Sequence, residues 1–125
     1  FRLIKGGAQL IGLQKNRFWH TLNGLSMDAG AFVVALEYAA ETEATIIGKP
    51  NRAYFEMAVQ DLGLPASNVA MIGDDIYTDI LGGQAAGLRT ILVKTGKYQF
   101  DDLSKVDVKP DWIIESIACL PTMLQ

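Results

Sequence analysis

Three aspartates follow a largely apolar run within a few positions of one another. Asp74, Asp75 and Asp79 lie in the segment GDDIYTD (73–79), directly after residues 68–73. Carboxylates this close in a partly buried site repel one another strongly. A hard divalent cation removes that repulsion, and carboxylate oxygens are ligands that Mg²⁺ prefers. The spacing indicates a Mg²⁺ site; a turn with one capping aspartate and two solvated ones is the alternative, and spacing alone leaves both open.

A lysine occupies a similar position earlier in the chain. Lys49 lies in the segment GKPN (48–51), after the β-branched run 44–48 and before a predicted helix. A lysine held there can offer its positive charge to a phosphate or to a nearby carboxylate, although a surface loop is the simpler interpretation of Lys49 alone. Lys49 and Asp74 each follow a predicted strand at its carboxyl end. Ligands of open parallel sheets bind beyond those ends, so both side chains can face one crevice.

The elements that must position these residues alternate between strands and helices. Short β-branched or apolar runs predict the strands, and apolar residues at helical spacing predict the helices. The alternation is typical of an α/β protein, a doubly wound parallel sheet with right-handed crossovers and helices on its faces. The strands are predicted over 8–13, 44–48, 68–73, 89–96 and 111–116, and the helices over 29–40, 51–63 and 78–87.

Local signals mark several of these boundaries. Asp28 is a suitable N-cap for the helix over 29–40, and Asn51 is one for the helix over 51–63. Gly63 ends that second helix in the usual left-handed position. The segment 14–28 is polar and is predicted to be irregular.

Composition and charge exclude several classes of function. The 125 residues carry a net charge of −3 without a basic run, which gives no reason to expect nucleic acid or an anionic membrane as a partner. No apolar stretch approaches the ~20 residues that span a bilayer. The only cysteine, Cys119, excludes an internal disulfide and favours a cytoplasmic location. His20, the only histidine, is expected at the surface rather than as a metal ligand.

The segments that contain Lys49 and the aspartates resemble the haloacid dehalogenase (HAD) superfamily of Mg²⁺-dependent phosphohydrolases. The similarity covers most of residues 9–98 and includes IIGKPNRAYFEMAV, MIGDDIYTDILGGQAAGL and ILVKTGKY. It is closest to the capped subfamily IIA, and within that to the phospholysine phosphohistidine inorganic pyrophosphate phosphatases. The resemblance implies that residues 1–27 are the end of a cap domain with its linker, and that 28–125 are the C-terminal half of a HAD-like core.

The resemblance also implies roles for individual residues. Lys49 would neutralise the nucleophile and the phosphoryl group, and Lys49 and Asn51 are the candidate substrate-binding residues. Asp74 would ligate Mg²⁺. Asp79 would orient the site or hold a metal-bound water, which makes it both a catalytic and a metal-site candidate. The role of Asp75 stays open.

The resemblance further implies a nucleophilic aspartate in a D-x-D motif, which this sequence does not contain. We therefore expect an incomplete sheet, in which the strands over 44–48 and 68–73 lie on opposite sides of strands that this chain lacks. The expected partners are a small phosphorylated substrate and either a missing N-terminal half or another chain. Unpaired strand edges also make a homo-oligomer possible.

The leading hypothesis is that the chain is part of a phosphatase that hydrolyses a small phosphate ester, phosphoramide or pyrophosphate. The reaction would pass through a phospho-aspartyl intermediate whose nucleophile lies outside this chain, so the 125 residues alone are expected to be inactive. The alternative is a truncated or degenerate non-catalytic module that binds Mg²⁺, phosphate or a partner chain. A receiver-like signalling domain fits less well. Such a domain would have acidic residues on its first strand and a phosphoacceptor aspartate at the end of a middle strand. Here Asp74 and Asp75 follow a late strand, with Lys49 upstream.

Overall fold

The computed structural model describes residues 1–107 and 109–125. Parallel strands alternate with helices over most of this length, as the sequence predicts. The helices are α1 (Arg2–Lys5), α2 (Ala29–Ala40), α3 (Arg52–Leu62), α4 (Leu81–Ala85) and α5 (Leu120–Met123). The strands are β1 (Ile11–Gly12), β2 (Phe18–Thr21), β3 (Gly24–Met27), β4 (Thr45–Ile46), β5 (Ala70–Gly73), β6 (Arg89–Val93) and β7 (Trp112–Ile114).

The parallel strands form two separate sheets. β5, β6 and β7 make a three-stranded sheet with β6 in the centre, in which Ile72 lies opposite Ile91 and Leu92 lies opposite Ile113. β1 and β4 make a two-stranded parallel sheet joined through α2. β4 and β5 do not pair with each other in the described part of the chain. The α/β class and the incomplete parallel sheet are confirmed, and the two strands that precede the candidate site belong to different sheets.

The pairing of β1 with β4 connects the two predicted segments of the chain. β1 lies within the predicted cap segment 1–27, and β4 lies within the predicted core segment 28–125. α2 links them as a short crossover, so these three elements form one β-α-β unit. The division at residue 27 stays a prediction.

The helices over 29–40 and 51–63 begin and end where the sequence predicts. The Asp28 carboxylate accepts a hydrogen bond from the Ala29 N–H at 2.7 Å, and the Asn51 side-chain oxygen accepts one from the Ala53 N–H at 2.9 Å. Gly63 ends α3 with φ at 63°, in the left-handed region. Short-range capping is enough to define these boundaries because it involves only neighbouring residues.

The prediction of an irregular segment over 14–28 is wrong. Residues 18–27 form the β2–β3 hairpin, with Phe18 opposite Met27 and Thr21 opposite Gly24. Gly24 adopts φ of 108° in the turn. The dipeptide Asn23–Gly24 is a strong hairpin signal that the sequence reading missed, because the flanking residues alternate only weakly between apolar and polar.

The core surrounds the central strand of the three-stranded sheet. Ile91, Leu92 and Val93 of β6 are at most 7% exposed. One buried cluster contains Phe55 of α3 with Ala86 and Leu88, and a second contains Ile76 and Ile80 packed against Leu92. Among the described residues, no helix combines the length and the apolarity that crossing a bilayer requires.

A polar network joins β6 to the start of β7. Thr90, which is fully buried, donates to one Asp111 carboxylate oxygen through its N–H at 2.9 Å and its hydroxyl at 3.1 Å. Arg89 Nη1 donates to the other oxygen at 2.9 Å, and Gln84 donates to the Thr90 hydroxyl. The hydrogen bond from Arg89 and the backbone bond from Thr90 lower the pKa of Asp111 below its ordinary value.

We expect Asp111→Ala to lower the free energy of unfolding at pH 7 by about 2 kcal/mol, because it leaves buried Thr90 donors without their acceptor. The depressed pKa means that the ionised Asp111 stabilises the fold above its unfolded pKa of about 3.9, and that this contribution is lost as the pH falls through the folded pKa. Urea unfolding of both proteins at pH 7 and pH 3 measures the difference. Asp61→Ala, at an exposed position of α3, is the control. A difference between variant and wild type that is as large at pH 3 as at pH 7 would contradict the assignment.

Candidate phosphoryl-transfer site

A short ion pair joins two of the sequence-predicted site residues. Lys49 Nζ lies 2.6 Å from Asp79 Oδ1. Asp79 is 3% exposed, whereas the Lys49 side chain is 36% exposed. Lys49 follows β4, and Asp79 lies in a π-helical turn (Ile76–Ile80) that follows β5. The structure therefore brings these two segments together, as the sequence predicts, although their strands belong to separate sheets.

Lys49 keeps its charge at neutral pH. Burial, the largest single influence, lowers the pKa of Lys49, but the hydrogen bond to Asp79 and the charge of that carboxylate together outweigh burial. The pKa therefore lies above its ordinary value. A raised lysine pKa means that the pair stabilises the folded protein at neutral pH and is lost only as the pH rises through that pKa.

The backbone at the end of β5 holds the second oxygen of Asp79. Asp79 Oδ2 accepts a hydrogen bond from the Asp75 N–H at 3.2 Å. The carboxylate packs where a side chain at Gly73 would lie, so a larger residue at the end of this strand would have to displace Asp79. Protein donors therefore contact both oxygens of Asp79, which favours a positioning role for this residue over direct metal ligation.

Asp74 is held in a different way, by the loop after β6. Its Oδ2 accepts a hydrogen bond from the Lys97 N–H at 2.6 Å, and the carboxylate packs directly against Gly96. Asp74 is half-buried. Within the hydrogen bonds of the described residues, Oδ1 of Asp74 has no partner. One anchored oxygen and one open oxygen suit a monodentate metal ligand.

Asp75, whose role the sequence left open, begins the helical turn. Its Oδ1 accepts hydrogen bonds from the N–H groups of Tyr77 at 3.0 Å and Thr78 at 3.1 Å. Its Oδ2 lies 3.4 Å from Lys97 Nζ. Asp75 is thus an N-cap. The alternative interpretation of the aspartate cluster, a turn without metal, assigned this role to one of the three residues.

These carboxylates fit Mg²⁺ only in part. Among residues 1–107 and 109–125, no group of three or more His, Cys, Asp or Glu side chains is arranged to hold a metal ion. Asp74 has an oxygen free to ligate, while Asp79 is occupied by Lys49 and by the Asp75 N–H. A Mg²⁺ ion bound here would therefore take Asp74 from this chain and further oxygen ligands from water, substrate or residues elsewhere.

Two other residues from the sequence analysis lie outside this cluster of contacts. Asn51 uses its side-chain oxygen to cap α3 and donates from Nδ2 to the Ile46 carbonyl at 2.6 Å. These contacts fix the chain on both sides of Lys49, and a role of Asn51 in substrate binding stays a prediction. His20 is exposed on the β2 strand and packs edge-on against Phe18.

Sequence reasoning missed Gly96 and Lys97 as site residues. They lie in the segment KTGKY directly after β6, beyond the carboxyl end of a parallel strand. Their position beyond a strand end, like that of Lys49 and Asp74, is the sequence signal that could have identified them, because ligands of open parallel sheets bind there.

Gly96 allows the close approach of the Lys97 N–H to Asp74. Gly96 has φ of 59°, and a side chain there would overlap the Asp74 carboxylate. Gly63 has nearly the same backbone, with φ of 63°, but open space around it. We expect Gly96→Ala to lower the free energy of unfolding by about 3 kcal/mol, since it combines left-handed strain with overpacking. Gly63→Ala carries only the strain, about 1 kcal/mol. Equal losses in urea unfolding would show that Gly96 does not contact Asp74.

A family model now places the chain among known proteins. The model, described as HAD-hydrolase-like, matches residues 46–120. The chain belongs to this family of HAD-like hydrolases. The matched segment contains Lys49, Asp74 and Asp79, together with the loop that carries Lys97.

Curated relatives of the HAD-like chain agree with this assignment. This chain is 45% identical over 116 residues to haloacid dehalogenase-like hydrolase domain-containing protein 2 of Bos taurus. The aligned residues cover 93% of this chain and 45% of the relative. This chain is also 40% identical over 109 residues to the phospholysine phosphohistidine inorganic pyrophosphate phosphatase of Xenopus laevis. The aligned residues cover 87% of this chain and 40% of that relative. The chain thus spans less than half the length of these relatives.

Solved structures show the same relationship for the HAD-like fold. A 4-nitrophenylphosphatase from Thermotoga maritima superposes with a TM-score of 0.89 at 30% identity, over 99% of this chain and 48% of that one. NagD from E. coli K-12 superposes with a TM-score of 0.80 at 29% identity, over 94% of this chain and 46% of that one. The resemblance to capped HAD phosphohydrolases, read from the sequence, is confirmed.

Proposed function

We propose that this chain carries the phosphoryl-binding part of a Mg²⁺-dependent phosphatase whose nucleophilic aspartate lies outside these residues. The observation that carries the proposal is the ion pair between Lys49 and the buried Asp79, which lies five residues after Asp74 with its open oxygen. An anchored cation together with a carboxylate that has ligating capacity suits a dianionic phosphoryl group. The names of the relatives, which include phosphatases of 4-nitrophenyl phosphate and of pyrophosphate, support the same reaction class.

Each residue has a definite task in this proposal. Lys49 presents its ammonium group to the phosphoryl oxygens, and Asp79 fixes the direction of that ammonium through the 2.6 Å contact. Asp74 offers its open oxygen to Mg²⁺, which when bound supplies positive charge to the transferring phosphoryl group. The Lys97 N–H keeps Asp74 oriented. Because these contacts hold Lys49 and Asp74 in place, little reorganisation is needed during the reaction.

The substrates that we propose are small phosphate esters, phosphoramides or pyrophosphate. Completion of the site requires the nucleophile, from an N-terminal half or from another chain. We place the reaction in the cytoplasm, a reducing compartment that suits a sequence with one cysteine.

Phosphate release by the intact protein tests the proposal. We expect turnover of 4-nitrophenyl phosphate or pyrophosphate with Mg²⁺, and its loss when the metal is removed with EDTA. A protein that binds phosphate or Mg²⁺ but releases no phosphate from phosphate esters, phosphoramides or pyrophosphate would instead be the non-catalytic module.

A further inference from the structure

Lys97 connects the candidate site to a neighbouring cleft. Its backbone N–H binds Asp74, while its side chain, 24% exposed, reaches Asp75 with an Nζ to Oδ2 distance of 3.4 Å. The same side chain lines a cleft of about 770 Å³. A group that binds the Lys97 ammonium therefore lies within the length of one lysine side chain from the backbone N–H that holds Asp74.

The cleft lies between the β2–β3 hairpin and the turn that begins at Asp75. The hairpin contributes Phe18 and Leu25, and the turn contributes Tyr77. These apolar residues suit a short carbon skeleton, and Lys97 lines the same cleft. A volume of this size is in the range of small-molecule sites.

The lining of the cleft is positively charged although the chain is acidic. Four basic side chains line it against two acidic ones, Asp75 and Asp102, whereas the whole chain has a net charge of −3. By formal charge, the lining therefore differs in sign from the chain as a whole. The basic residues are Lys15, Arg17, Lys97 and Lys105.

The four cations differ in how firmly they are already paired. Lys15 lies 2.6 Å from a Glu37 carboxylate oxygen, and Lys105 lies 2.8 Å from Asp102. Lys97 has a longer contact, 3.4 Å, to an Asp75 carboxylate that also caps the following turn. Arg17 is exposed and takes part in none of the ion pairs formed within residues 1–107 and 109–125. Lys97 and Arg17 are therefore the cations most available to a ligand.

We propose that Lys97, assisted by Arg17, makes this cleft select phosphorylated substrates that carry a second anionic group close to the phosphate. The inference rests on the proposed function, since it places the transferred phosphate at Lys49 and Asp74. The second anion enters the cleft and binds the Lys97 ammonium, which is partly desolvated and only loosely held by Asp75. A neutral substituent of the same shape leaves that ammonium without a new partner and gains less affinity.

Binding of two non-hydrolysable phosphonates to the intact protein tests this inference. Phosphonoacetate carries a carboxylate beside its phosphonate, and 2-methylpropylphosphonate carries a neutral branched group of similar shape. With Mg²⁺ in excess, we expect calorimetry to show that the wild type binds phosphonoacetate about tenfold more tightly, as one charge-assisted contact allows. Lys97→Met should reduce that preference to about twofold, and Lys97→Arg should retain most of it.

The matched control is Lys94→Met, three residues earlier. Lys94 is paired with Glu115 at 2.6 Å and does not line the cleft, so its loss removes the same charge from the chain without removing it from the cleft. Lys97→Met keeps the backbone N–H that binds Asp74, which separates selectivity from positioning of the metal ligand. We expect Arg17→Met to lower the preference for phosphonoacetate as well, by a smaller factor.

Several results would overturn the inference. They are equal binding of the two phosphonates by the wild type, binding of neither, equal weakening of both by Lys97→Met, or loss of the preference in Lys94→Met. Failure of the proposed function looks different. In that case the protein releases phosphate from no substrate, while the discrimination between the phosphonates and its dependence on Lys97 persist.

Discussion

Asp74→Asn is expected to reduce kcat/KM for phosphate release by about 10³-fold in the intact protein. This is the upper end of the loss in rate that follows removal of one preorganised electrostatic group. The substitution removes the charge that attracts Mg²⁺ but keeps an oxygen that can accept the Lys97 N–H. The fold around the site should therefore persist, and the loss should reside in metal binding and catalysis. Steady-state assays at several Mg²⁺ concentrations, with calorimetric Mg²⁺ titration, measure both effects.

Asp61→Asn is the control for this prediction, because it makes the same chemical change at an exposed position of α3. Its activity and Mg²⁺ affinity should match those of the wild type. If Asp74→Asn keeps the wild-type affinity for Mg²⁺, then Asp74 is not a metal ligand, whatever happens to turnover. A large fall in the thermal midpoint of Asp74→Asn would point instead to structural damage.

Lys49→Met is expected to impair both activity and stability. Asp79 is 3% exposed, and without Lys49 its ionised carboxylate loses its charge partner. Removing one member of a buried pair costs about 3–5 kcal/mol, and the 36% exposure of the Lys49 side chain reduces this to about 2 kcal/mol. Loss of the cation should also lower kcat/KM by about 10²- to 10³-fold. Urea unfolding and phosphate release measure the two effects.

The double variant Lys49→Met/Asp79→Asn separates these effects. With both charges removed, no buried carboxylate lacks a charge partner, so stability should recover most of the way to the wild type. Activity should not recover, because the phosphoryl group still lacks its cation. Recovery of activity in the double variant would show that Lys49 matters only as a partner for Asp79. A Lys49→Met variant as stable as the wild type would show that the pair is solvated.

Local signals in the sequence account for much of the fold that was predicted correctly. The caps at Asp28 and Asn51 and the stop at Gly63 involve residues within a turn of one another, so their outcome does not depend on the rest of the chain. Apolar runs likewise identify β5 and β6. The hairpin turn at Gly24 was equally local, and its Asn-Gly signal was available in the sequence.

By itself, the sequence determined the α/β class, the caps of α2 and α3, and the candidates Lys49, Asp74 and Asp79. Only the tertiary structure decided that β4 pairs with β1. It also decided that Asp79 is held by Lys49, and that the loop after β6 orients Asp74 and opens onto a basic cleft. The physical reason is range: caps and periodicity act between neighbours, whereas these contacts join residues more than twenty positions apart, and their geometry depends on the path of the whole chain.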